Sequence, residues 1–173
     1  MLCDWMLFPN SLRPNEVFLG VGEVFDSHMD EICSSAHKLK SNDVLASIAV
    51  DLTKLGFVVE EGKRADQLIH MPVLFGERGQ VKKDFFADAF HSQSGTVIEV
   101  EAGRAVANNQ FLKDLFEACM MDGVRHLCIA VRKTYEVNSG ITKDYEKVCT
   151  FFQTLYASNR VKLPLEGIMV IGY

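Results

Sequence analysis

Glu99 and Glu101 are the residues of this chain whose types and spacing most directly suggest chemistry. They sit in Thr96-Val97-Ile98-Glu99-Val100-Glu101-Ala102-Gly103, a run with the apolar, β-branched character of an interior strand. Strand side chains alternate faces, so both carboxylates point one way while Ile98, Val100 and Ala102 point the other. Neighbouring acids on such a strand repel each other unless a positive charge lies between them. A hard divalent cation such as Mg²⁺ meets that need, because it takes a few carboxylate oxygens plus water. An arbitrary E-x-E is more often a strand with one solvated face, so the surroundings must decide.

The preceding run, Lys83-Asp84-Phe85-Phe86-Ala87-Asp88-Ala89-Phe90, reads as the partner strand of a hairpin that turns over Ser92-Gln93-Ser94-Gly95. A tip near residues 93 and 94 sets Asp88 about opposite Glu99, with Asp84 further down the same face. The hairpin then gathers Asp84, Asp88, Glu99 and Glu101 on one patch, or holds one aspartate in the site and leaves the other on an edge. One or two cations there would lower the pKa of an attacking water and neutralise a leaving oxygen, which is what phosphodiester cleavage needs.

The elements that must position these acids follow from periodicity. Residues 1–25, with Pro9, Pro14, Asn10 and Asn15, read as an irregular arm with a short extended piece at Val17–Gly20. Helices are predicted over 26–40 and, after a Ser41-Asn42-Asp43 cap, over 44–55, where Gly56 stops the second one. Strands follow at 57–60 and 68–75, the latter an edge because Pro72 lacks a ladder donor. Beyond the acidic strand, Asn108 or Asn109 caps a helix to about Met121, with Leu112, Leu115, Phe116 and Cys119 inward. Leu127–Val131 reads as an interior parallel strand. A loop at Asn138-Ser139-Gly140, a helix over 143–158 and a strand at 168–171 complete an order of α-α-β-β-β-β-α-β-α-β. That is an α/β class with a mixed central sheet flanked by helices, in a single domain over 1–173.

Composition narrows the function. The chain has 173 residues, 48% hydrophobic and 24% charged, which is ordinary for a folded domain. No apolar stretch approaches a bilayer span, and the first residues do not read as a signal peptide, so no membrane partner is expected. The five cysteines form no C-x-x-C pair and the five histidines no metal-ligand spacing, which favours reduced thiols, a cytoplasmic location and no transition-metal site. The net charge of −5 argues against a surface that grips nucleic acid everywhere. Basic residues are therefore expected to line one cleft locally, drawn from Lys63-Arg64, Lys82-Lys83, Arg104, Arg132-Lys133 and Arg160 with Lys162. Gly20-Val21-Gly22 lacks the third glycine of a dinucleotide loop, and no nucleophile–base constellation supports a small-molecule enzyme.

Over residues 41–135, a helix, a hairpin with Asp on one strand and E-x-E on the other, then a helix and a strand resemble the PD-(D/E)XK nuclease superfamily. In particular they are similar to its BamHI/BglII-like restriction endonuclease branch, where E-x-E replaces E-x-K. The resemblance implies a restriction-endonuclease-like fold and a metal-dependent endonuclease (a hydrolase) acting on DNA, with Mg²⁺ as cofactor and Mn²⁺ able to substitute. It implies Glu99 and one of Asp84 or Asp88 as principal metal ligands, and Glu101 as a base or further metal contact. Lys113 is placed to supply the missing lysine from the next helix or else is a surface charge, Arg104 is placed to bind a phosphate or to pair with a nearby acid, and Glu60, Glu61 and Asp51 are candidates for an upstream carboxylate. Sequence-specific cutting would call for a homodimer, so that two sites address two strands. The competing expectation is the same fold without catalysis, acting as a protein- or nucleic-acid-binding module.

Overall fold

The hydrophobic alternation of Thr96–Glu101 (strand β6) is resolved by two apolar layers. In the computed structural model, which describes residues 1–137 and 140–173, Ile98 and Val100 pack into one layer and Val97 into the other. His126–Val131 (β7) and Gly167–Gly172 (β10) alternate the same way and are buried along their whole length. Strands covered on both faces need continuous apolar sequence, and parallel pairing follows. β6 pairs parallel with β7, and β7 parallel with β10.

Three antiparallel strands extend this trio to a sheet ordered β1-β10-β7-β6-β5-β2. Here β1 is Asp4–Phe8, β2 is Val58–Val59 and β5 is Ala89–His91. Helices α1 (Glu16–Ile32) and α2 (Ser41–Lys54) cover the Ile98 side, while α3 (Gln110–Met120) and α4 (Asp144–Ser158) cover the Val97 side. Strands β3 (Ile69–Phe75) and β4 (Val81–Ala87) form a separate two-stranded ribbon, as do β8 (Tyr135–Val137) and β9 (Gly140–Thr142). The expected loop at 138–140 falls partly on Asn138 and Ser139, which lie outside the described residues.

The expected helices at 44–55 and 143–158 and the strands at 127–131 and 168–171 are found within a few residues of their expected bounds. Three departures have physical causes. The N-terminal arm is not irregular: residues 4–8 pair antiparallel with β10, and the Asn15 side chain caps α1 by accepting the Phe18 N–H at 2.8 Å. Phe18, Val21, Phe25, Met29 and Ile32 then give a helical stripe, so Val17–Gly20 is helix rather than strand and the helix ends at Ile32, not Lys40. Gly20 and Gly22 serve packing, since added Cβ atoms would stand 3.1 Å from Leu55 and 3.2 Å from the Trp5 ring. On α3 the buried face is Phe111, Asp114, Leu115 and Ala118, and Phe116 is exposed.

Candidate functional site

The hairpin that carries the acids is split at Asp88. β4 pairs with β3, whereas β5 pairs with β6 through Ala89↔Ile98, Phe90↔Val97 and His91↔Thr96. Continuing that register brings Asp88 beside Glu99. Its carboxylate accepts the main-chain N–H of Val100 at 2.8 Å, which fixes it against the residue between the two glutamates. Glu99 and Glu101 share the parity of Val97 and so face the α3 side of the sheet.

Asp88, Glu99, Glu101, Lys113 and Asp114 line one cavity of about 240 Å³. Glu60 also reaches it, ion-paired to Lys63 at 2.6 Å, and its main-chain N–H donates to the Asp88 carbonyl at 2.8 Å. Glu61 is not on its wall. Asp51 lies elsewhere on α2, bound to Lys54 at 2.6 Å and to His28 at 2.9 Å.

Asp84 is not brought into this cavity. It belongs to the β3–β4 ribbon, where it pairs with His70 at 2.5 Å, and that partner holds its carboxyl below the usual range. The reason is the change of pairing partner at Asp88, which separates two aspartates of equal parity. His91 at the hairpin tip is buried, hydrogen-bonded to Ser94 at 2.8 Å and packed against Phe57.

The nearby cations relieve the carboxylates only in part. Burial pushes Asp88 up to about 6, with Glu60 adding to the rise and the Val100 N–H opposing it. Burial and then the Asp88 charge lift Glu101 to about 7 and carry Glu99 well above the ordinary glutamate value. Lys113 is held above its usual value because Glu117, Asp114 and Glu99 outweigh the cost of its partial burial, and its ammonium lies 3.3 Å from Glu117.

Asp114 is the residue sequence reasoning missed. It is 3% exposed, its Oδ2 has no hydrogen-bond partner, and burial followed by Glu101 raises it to about 8. A buried carboxyl without a partner is costly, and Asp114 comes to the inner face only because α3 turns to bury Phe111 rather than Phe116.

Among the described residues, no three His, Cys, Asp or Glu side chains stand arranged as a ready metal cage. The donor set still fits a hard cation: it is all carboxylate oxygen, and it includes an unpartnered Asp114 oxygen. Such a charge would relieve four acids whose protonation is otherwise favoured.

Gly103 lies two residues past Glu101, just beyond the end of β6. Its φ is +100°, and a Cβ there would stand 2.5 Å from the Tyr135 ring. The chain thus leaves β6 in a sharp turn that seats an aromatic ring against the strand end.

No family model and no curated protein matches the chain. Among solved structures, a crystal structure of free BglII is similar, with a TM-score of 0.50 at 16% identity over 99% of this chain and 79% of that chain. At that identity the likeness speaks for architecture alone. The mixed sheet with two helices on each face is a restriction-endonuclease-like fold.

Proposed function

We propose that this chain is a divalent-metal-dependent endonuclease that hydrolyses DNA phosphodiester bonds. The observation that carries the reading is the convergence of Asp88, Glu99 and Glu101 on one cavity with Lys113 and Asp114 from α3. Asp88 and Glu99 would hold Mg²⁺ (or Mn²⁺), which supplies Lewis-acid charge and lowers the pKa of bound water. Glu101 accepts a proton from the water that attacks phosphorus. The P–O bond to the leaving oxygen breaks as the new one forms, and the leaving oxygen takes a proton from solvent. Lys113 places an ammonium where a non-bridging phosphoryl oxygen gathers charge. The acids alone repel a phosphate, so the cation is also the condition for substrate approach.

A second reading, the same fold as a catalytically silent binding module, draws on the lack of a ready metal cage among the described residues. Plasmid nicking separates the two. With Mg²⁺ or Mn²⁺ the chain nicks and linearises duplex DNA, and Glu99→Ala abolishes the activity without unfolding the protein. No nicking by either protein, with Mn²⁺ leaving the Tm unchanged, supports the silent module, whereas equal nicking by wild type and variant removes Glu99 from the chemistry.

A further inference from the structure

A second cavity, about 420 Å³, adjoins the acidic one: Ser41 and Glu101 lie on the walls of both. Its character is opposite. Lys38, Lys40, Arg104 and Arg132 converge on it from the α1–α2 connection, the turn after β6 and the end of β7.

Arg132 is the unusual member. It is 8% exposed, yet among the described residues no carboxylate lies within ion-pair distance of it; the nearby pairs are Lys133 with Asp4 and Lys38 with Glu136. Its guanidinium donates to the Leu39 carbonyl, lies 5.1 Å from the Tyr135 ring centre, and sits beside the Tyr173 hydroxyl. That hydroxyl donates to the main-chain oxygen of Glu101 at 3.0 Å. A guanidinium offers five N–H donors in a planar fork suited to phosphate oxygens, and these contacts use only part of it. Sequestering a cation without a counter-charge is costly unless an anion arrives. Ser41, the first residue of α2, brings a helix N-terminus to the same space.

We propose that Arg132, with Arg104 and Lys40 at its rim, binds a backbone phosphate of the strand being cut, next to the phosphate that lies over Asp88 and Glu99. The inference rests on the nuclease reading for its substrate. It adds that the grip on the strand is concentrated on the α2 side of the site, where Lys38, Lys40, Arg104 and Arg132 line one cavity in a chain of net charge −5. The Arg132–Tyr173–Glu101 contacts tie this anion pocket to the end of the E-x-E strand.

The test is duplex-oligonucleotide binding by the full chain in Ca²⁺, measured across salt concentrations. Arg132→Gln and Arg104→Gln should each weaken binding about tenfold on every sequence tried and lower the salt slope by about one. Mn²⁺ binding at the carboxylates should stay at the wild-type level. If Arg132→Gln is unstable, Arg104→Gln combined with Lys40→Gln carries the same expectation. Folded variants with wild-type affinity and slope overturn the proposal, even if the wild type nicks DNA. The expected slope change in a chain that never nicks supports the phosphate pocket and rejects only the catalytic reading. If inorganic phosphate raises the wild-type Tm but not that of Arg132→Gln while duplex binding is equal, the pocket takes a free anion and the strand proposal fails.

Discussion

The Asp88 carboxylate accepts the Val100 main-chain N–H at 2.8 Å, so the aspartate of one strand is fastened to the residue between the two glutamates of the next. Asparagine keeps an acceptor there and alanine does not. Asp88→Asn and Asp88→Ala should both lose nicking. Asp88→Ala should also be less stable than Asp88→Asn by about 1–3 kcal/mol, because it strands a buried donor. Chemical denaturation of the two variants side by side measures the difference.

Asp84 and Asp88 look interchangeable as strings of residues, and the fold separates them. Asp84 is bound to His70 on the β3–β4 ribbon and faces solvent. Asp84→Asn should nick DNA within about twofold of wild type and leave stability little changed, as expected of an exposed pair. A loss of activity as deep as that of Asp88→Asn would put Asp84 in the site.

What could be read from the sequence, and what could not, follows the same division. β6, β7, β10, α2 and α4 announce themselves because burial on two faces or on one helical stripe imposes a period. Asp88 opposite Glu99 was legible from hairpin counting. The split at Asp88 was not, since residues 81–91 contain no glycine or proline to mark a break and the change of partner from β3 to β6 is a tertiary choice. The N-terminal part of α1, before residue 26, was hidden because Asn15 resembles a loop residue until its cap is seen. Asp114 was hidden because an aspartate in a helix is ordinarily solvated; here α3 is rotated so that Phe111 rather than Phe116 goes inward and Asp114 goes with it.

That rotation gives the stability a pH dependence with a definite sign. Asp114 titrates at about 8 in the folded chain, above its ordinary 3.8, so the folded state keeps a proton that the unfolded chain releases. Stability is then highest on the acid side, falls as pH rises between those values, and levels off above the folded one. Asp88, Glu99 and Glu101 act in the same direction. The Tm should drop between roughly pH 4 and pH 8, and Mn²⁺ should restore part of the loss. Asp114→Asn should flatten the drop and stabilise the alkaline side by on the order of 1–3 kcal/mol. A Tm that rises with pH over this range contradicts the arrangement.

Lys113 is exposed, so its role can be tested without disturbing the core. Lys113→Met should reduce nicking by about 10²-fold, the scale of losing one charge-stabilising donor. Mn²⁺ affinity should hold or rise slightly, because the variant removes a competing positive charge. Cation binding measured by calorimetry alongside single-turnover nicking separates the two effects.

The most direct measurement is an anomalous difference map from crystals equilibrated with Mn²⁺. A peak bounded by the carboxylates of Asp88 and Glu99, with oxygen distances of about 2.0–2.4 Å, is the predicted result. It should vanish in Glu99→Gln crystals. A featureless map at that cavity, with Asp88, Glu99 and Glu101 keeping their separate contacts at saturating Mn²⁺, contradicts a metal-dependent nuclease.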